Sequence, residues 1–134
     1  MQLIHLRGFI HRDIKSENFL VGFNQNINKI YAIDFGIAKR FLHPRTMEHI
    51  PMKQHGGLIG TARFASINAH LGLEQSRRDD MIALGYLLLY LSKGKLPWQK
   101  VRAKNKQKKY EKILALKKQS TPEILCKDLP GKRF

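Results

Sequence analysis

The chain has 134 residues, 43% of them hydrophobic, and a formal net charge of +15. This length suits one domain with a modest core, and the composition excludes wholesale disorder. The charge points to a polyanionic partner (nucleic acid, an anionic membrane surface, or an acidic or phosphorylated protein), and the lone cysteine, Cys126, excludes an internal disulfide.

In chain order, Met1 to Gly8 is expected to be the end of a helix, with Gly8 as its stop. No basic flank followed by a long apolar stretch opens the chain, so no secretory leader is expected. With a single cysteine, the expected location is cytosolic or nuclear. Phe9 to Asn18 mixes apolar and charged residues without a period, as a functional loop would. Phe19–Gly22 and Lys29–Asp34 are rich in strand formers and flank the turn-forming stretch 24–28, so they predict a small β-hairpin. Gly36 to Gly60 is expected to be a long irregular loop, a type that is usually functional.

Ser76 to Lys93 predicts a helix ended by Gly94 and Pro97. Its leucines Leu84, Leu87, Leu88 and Leu91, with Tyr86 and Tyr90, are expected in the core. The nearly apolar run Met81 to Leu91 is shorter than the ~20 residues a bilayer crossing needs, so no membrane span is expected. Gln99 to Lys118 predicts a basic helical region broken near Asn105. A last helix is expected to start at Ser120-Thr121-Pro122. Between Lys95 and Lys118 lie ten Lys or Arg and one acid, Glu111. Such a run is most often a solvated helix face. An anion site around Lys109 is the next reading, and nucleic acid comes last because no aromatic-interleaved RNA signature is present. His5, His43, His49, His55 and His70 have no metal-ligand spacing. His11 is expected to be a packed structural residue. No feature fixes an oligomeric state.

Two segments carry chemistry. His11-Arg12-Asp13-Ile14-Lys15-Ser16-Glu17-Asn18 precedes the hairpin and Asp34-Phe35-Gly36 follows it, so both ends can return to one place. Two carboxylates, an amide and an ammonium then surround one point. Phosphoryl transfer needs such a set, because its catalysis is mainly positioning and charge stabilisation. Asp34 and the Asn18 amide oxygen could hold Mg²⁺, a hard cation that prefers oxygen. Asp13 could orient the attacking hydroxyl and take its proton, and Lys15 could follow the moving phosphate.

These segments resemble the catalytic loop and DFG motif of eukaryotic protein kinases. Gly60-Thr61-Ala62-Arg63-Phe64-Ala65-Ser66-Ile67-Asn68 and Glu74-Gln75-Ser76-Arg77-Arg78-Asp79-Asp80 are similar to the casein kinase I family, in which Ser-Ile-Asn replaces the usual Ala-Pro-Glu. Leu96-Pro97-Trp98-Gln99 and the stretch 107–113 extend the likeness, which runs from about Phe9 to Lys127. The resemblance implies a mainly α protein with a small β-hairpin, a partial C-terminal lobe of the kinase fold (α+β). It implies a Ser/Thr kinase using ATP and Mg²⁺, with acidic or phosphorylated protein substrates. It further implies that Asp80 anchors the catalytic loop and that Thr61 sits near Asp13 and Lys15. Leu20 and Ile33 would line the nucleotide pocket, and Arg63 and Lys109 would bind a substrate anion.

No Gly-rich phosphate loop and no strand lysine of the Val-Ala-Ile-Lys type occurs in these 134 residues. The expectation is therefore a truncated catalytic domain over residues 1–134, inactive alone, whose central apolar helix is left partly uncovered. The family lysine expected at Gly56 is missing, and Ile82 stands where the family has a glutamate. The rival expectation is a non-catalytic half-kinase that binds acidic or phosphorylated partners, or a degenerate gene fragment.

Overall fold

The computed structural model describes residues 1–129. Helix α1 (Gln2–Leu6) ends at Gly8, whose φ of 79° is the left-handed conformation glycine allows. The hairpin forms as expected: β2 (Phe19–Val21) pairs antiparallel with β3 (Ile30–Ala32), with Leu20 opposite Tyr31. A second two-stranded sheet was not expected. β1 (Phe9–Ile10) pairs with β4 (Lys39–Arg40), so the start of the 9–18 loop is joined to the start of the long loop. Strands of two residues show no periodicity, which is why neither could be read from sequence.

The rest of Gly36 to Gly60 is irregular, apart from isolated bridges of Leu42 with His49 and of Gln54 with Leu73. A short helix, α2 (Ile67–His70), follows; it is capped by Ser66, whose Oγ accepts from the Ala69 N–H at 3.0 Å.

Helix α3 (Arg77–Lys93) runs between Ser76 and a left-handed Gly94, as the sequence implies. Asp79 closes its first turn by accepting from the Ser76 N–H at 2.7 Å. Helix α4 (Lys106–Gln119) is shorter than expected, because Asn105 is its cap rather than a break within it: Asn105 Oδ1 accepts from the Lys108 N–H at 2.8 Å. Residues 99–105 are not helical. Helix α5 (Pro122–Leu125) starts at Thr121 with Pro122 in its first turn.

The core gathers Ile14, Phe64, Ala83, Leu87, Leu96, Trp98, Ile113 and Leu125, with Leu84, Tyr86 and Tyr90 partly buried against it. Leu88 and Leu91 do not join it; they are 55% and 62% exposed. Helix α3 is apolar nearly all round, and Ala83 and Leu87 mark the face that packs inward. Leu88 instead faces a groove of about 670 Å³ shared with α4 and α5. No described helix is long and apolar enough to cross a membrane.

Candidate active site

The first turn of α3 holds two separate segments through neighbouring carboxylates. Asp80, 1% exposed, accepts from the His11 N–H at 2.8 Å and the Arg12 N–H at 2.9 Å, and its Oδ2 lies 2.9 Å from His5 Nε2. The 11–18 loop therefore sits directly on α3. Asp79 Oδ1 accepts from Ser66 Oγ at 2.5 Å and so fixes the end of the 60–66 segment. Bonds to a charged acceptor are about twice as strong as neutral ones, and burial strengthens them further.

That anchorage sustains an unusual backbone. Arg12 has φ 68° and Asp34 φ 60°, left-handed values rare outside glycine. Each costs roughly 1–3 kcal/mol unless surrounding bonds fix it, and such residues cluster at functional sites. Arg12 is fixed by Asp80 and by its Nε bond to the Ile37 carbonyl at 2.6 Å. His11 is fully buried, with Nε2 2.9 Å from the Ile33 carbonyl and its ring 5.0 Å from that of Phe35. It links the catalytic loop to the Asp34 turn.

Asp13 is the hub. Its Oδ1 accepts from Thr61 Oγ1 and its Oδ2 from Lys15 Nζ, both at 2.6 Å. Burial pushes this carboxyl up, but the Lys15 and Thr61 bonds outweigh burial and hold it below its ordinary value. The Lys15 ammonium is raised in turn, chiefly by its bond to Asp13. Asn18 is buried and donates through Nδ2 to the Asp13 carbonyl at 2.9 Å. That orientation frees its amide oxygen, which accepts no side-chain hydrogen bond among the described residues. The Ile33 N–H donates to the Asn18 carbonyl at 3.0 Å, which brings the Asp34 turn alongside. Asp34 acts on Lys15 through its charge, and its Oδ1 accepts from the Gly36 N–H at 3.2 Å. Asp13, Lys15, Asn18, Asp34 and Thr61 are thus brought together.

One carboxylate and one amide oxygen suit Mg²⁺, which takes one or two carboxylates and completes its shell with water and substrate phosphate. The donor chemistry of Asp34 and Asn18 fits that ion. Leu20 and Ile33 present apolar side chains on the exposed hairpin side, Leu20 at 51%.

Gly60 brings the next segment against the loop. Its φ is 96°, and a Cβ there would lie 2.3 Å from the Arg12 carbonyl oxygen. Only glycine permits that approach. Arg63 lies over the rings of Phe64 and Tyr90, at 5.7 and 5.4 Å, and its charge reaches Glu17 of the catalytic loop. Lys109 is on the exposed side of α4 and shares no hydrogen-bonding partner with Arg63 among the described residues.

Three contributors escaped sequence reading. Asp79 had a signal, the Ser76-to-Asp79 spacing of a capping box. Glu74 had none: this buried carboxylate accepts from Lys39 Nζ at 2.7 Å and contacts His55 Nε2, so it clips the long loop to the 72–75 turn. Lys117 stood in a basic run expected to be solvated, yet it is 2% exposed.

Compared with known protein families, the chain matches the protein kinase domain over residues 1–129. It belongs to the protein kinase family. Membership implies phosphoryl transfer from ATP to protein substrates, usually with a divalent metal.

Proposed function

We propose that this chain carries the catalytic floor of a casein kinase I-type Ser/Thr kinase, which transfers the ATP γ-phosphoryl group to Ser or Thr of acidic or already phosphorylated proteins. The observation that carries the reading is the Asp13 hub, a carboxylate held ionised between Lys15 and Thr61. Asp13 orients the attacking hydroxyl and accepts its proton. Lys15 follows the charge on the transferring group. Asn18 and Asp34 would hold Mg²⁺, which would supply charge neutralisation at the phosphates. Leu20 and Ile33 offer an apolar floor to the nucleotide. The likeness of 60–68 and 74–80 to the casein kinase I segments supports the subfamily, and Lys15, two residues after Asp13, supports Ser/Thr.

Arg63 and Lys109 are the proposed anion contacts, and they absorb part of the +15 charge. Residues 1–134 alone are expected to turn over negligibly, because no Gly-rich loop to clamp ATP occurs among them. The free, exposed Cys126 suits a reducing compartment, cytosol or nucleus.

The test is phosphate transfer from ATP by the full-length protein to paired peptides, one with a phosphoserine upstream of the acceptor and one without. The primed peptide is expected to be preferred. Arg63→Ala is expected to erase that preference by roughly tenfold or more in kcat/KM, the value of one charge-assisted bond. Equal use of both peptides by the parent protein would remove the substrate assignment. Tight binding of the primed peptide with no transfer would favour the non-catalytic half-kinase.

A further inference from the structure

We propose that Lys117 is the positioning residue that holds the 61–66 segment against the catalytic loop and, through that segment, seats Thr61 on Asp13. Its consequence for catalysis rests on the kinase reading above; the placement itself does not.

Lys117 sits in the last turn of α4, 2% exposed, and among the described residues no carboxylate pairs with it. Burying an unpaired ammonium is unfavourable. An apolar residue would fill the same space without that cost. The ammonium must therefore hold something, and its contacts show what. Nζ donates to the Ala62 carbonyl at 2.8 Å and to the Ala65 carbonyl, and lies 3.3 Å from His70 Nε2. The rings of Tyr86 and Trp98 flank the charge at 5.0 and 5.1 Å. Two carbonyl acceptors take N–H donors that a primary ammonium can supply and a hydrocarbon cannot, and His70 Nε2 also lies 3.2 Å from the Ala62 carbonyl.

One of the two carbonyls between them is also taken: Trp98 Nε1 donates to the Arg63 carbonyl at 2.8 Å. The carbonyls of 62, 63 and 65 are thus all gripped by buried side chains. The opposite edge of the same turn closes on Thr61, whose carbonyl accepts from the Phe64 and Ala65 N–H groups at 3.0 and 2.9 Å. Residues 61–65 therefore move as one turn. A shift of that turn would draw Thr61 Oγ1 away from Asp13, where it now sits at 2.6 Å.

The charged form of Lys117, which supplies all three donors, is complete only below about pH 7. Burial brings the Lys117 ammonium down to about 7. His70 is lowered to about 4, first by burial and then by the Lys117 charge. His70 is therefore neutral near pH 7, and its Nε2 lies between the Ala62 carbonyl at 3.2 Å and Lys117 Nζ at 3.3 Å.

The experiment follows Asp13, not turnover, so a failed kinase assay leaves it readable. In the full chain, the labelled Asp13 side-chain carboxyl is titrated by NMR in the parent, Lys117→Met, Thr61→Val and the double variant. Lys117→Met is expected to raise the Asp13 titration towards its ordinary value, as Thr61→Val does, and the double variant is expected to go no further. An unmoved Asp13 in Lys117→Met overturns the proposal. So do additive shifts, which would mean that the Lys117 charge acts directly. If the Met variant does not fold, the parent decides. A Lys117 side chain titrating near 7 supports the buried placement, and one titrating with the surface lysines overturns it.

Discussion

Two regions meet at Asn18 and are built on opposite principles. Below it, His11 and Arg12 rest on the buried carboxylate of Asp80, almost seventy residues further along the chain. Above it, the β2–β3 hairpin closes over a local ladder and turns Val21, Phe23 and Ile30 outward, at 69%, 82% and 72% exposure. The floor is positioned by long-range charged hydrogen bonds, whereas the hairpin is positioned by its own strand pairing. Charged bonds within a buried network are costly to break, while exposed apolar side chains contribute little to the fold that bears them. The precision of the site therefore resides in the floor, and the hairpin supplies an apolar face that can change without moving Asp13.

The largest break in this contrast comes from Asp80→Ala. It leaves the buried His11 and Arg12 N–H groups unpaired and is expected to cost roughly 3–5 kcal/mol. Thermal unfolding would show the loss, and a variant within 1 kcal/mol of the parent, by the usual scale for surface changes, would mean the floor is held elsewhere. Gly60→Ala comes next. It combines a strained φ with a Cβ 2.3 Å from the Arg12 carbonyl, and should cost about 2–3 kcal/mol and displace the catalytic loop. Amide shifts confined to residues 57–63, with Arg12 and Asp13 unmoved, would contradict that coupling. Phe23→Ser is expected to be the smallest change, within about 0.5 kcal/mol, and to leave the Asp13 environment unaltered. A large loss there would show that the hairpin tip bears on the floor.

The same contrast explains what could be read in the sequence. Asp13, Lys15, Asn18 and Asp34 stand out in the sequence because phosphoryl transfer would prescribe both residue type and spacing, and the fold brings them to one place. Helix α3 was legible because Ser76 and Gly94 mark its ends. The β1–β4 pair was not, since each strand has two residues and the partners lie about thirty positions apart. Leu88 and Leu91 were misplaced because a helix apolar all round does not disclose which face is covered. Lys117 was hidden by its neighbours, although a faint signal existed. It falls four residues after Ile113 and seven after Tyr110, on the stripe that α4 turns inward, so one lysine of a solvated run completes an apolar face.

The central claim is that Asp13 is the catalytic carboxylate of a phosphoryl transfer, and one comparison tests it most directly. Transfer of labelled phosphate from Mg-ATP to a primed peptide is measured for the full-length protein and its Asp13→Asn variant, with nucleotide affinity measured alongside. The account predicts a loss of about 10²–10⁴-fold or more in turnover with affinity for ATP little changed. Turnover retained in Asp13→Asn would contradict it.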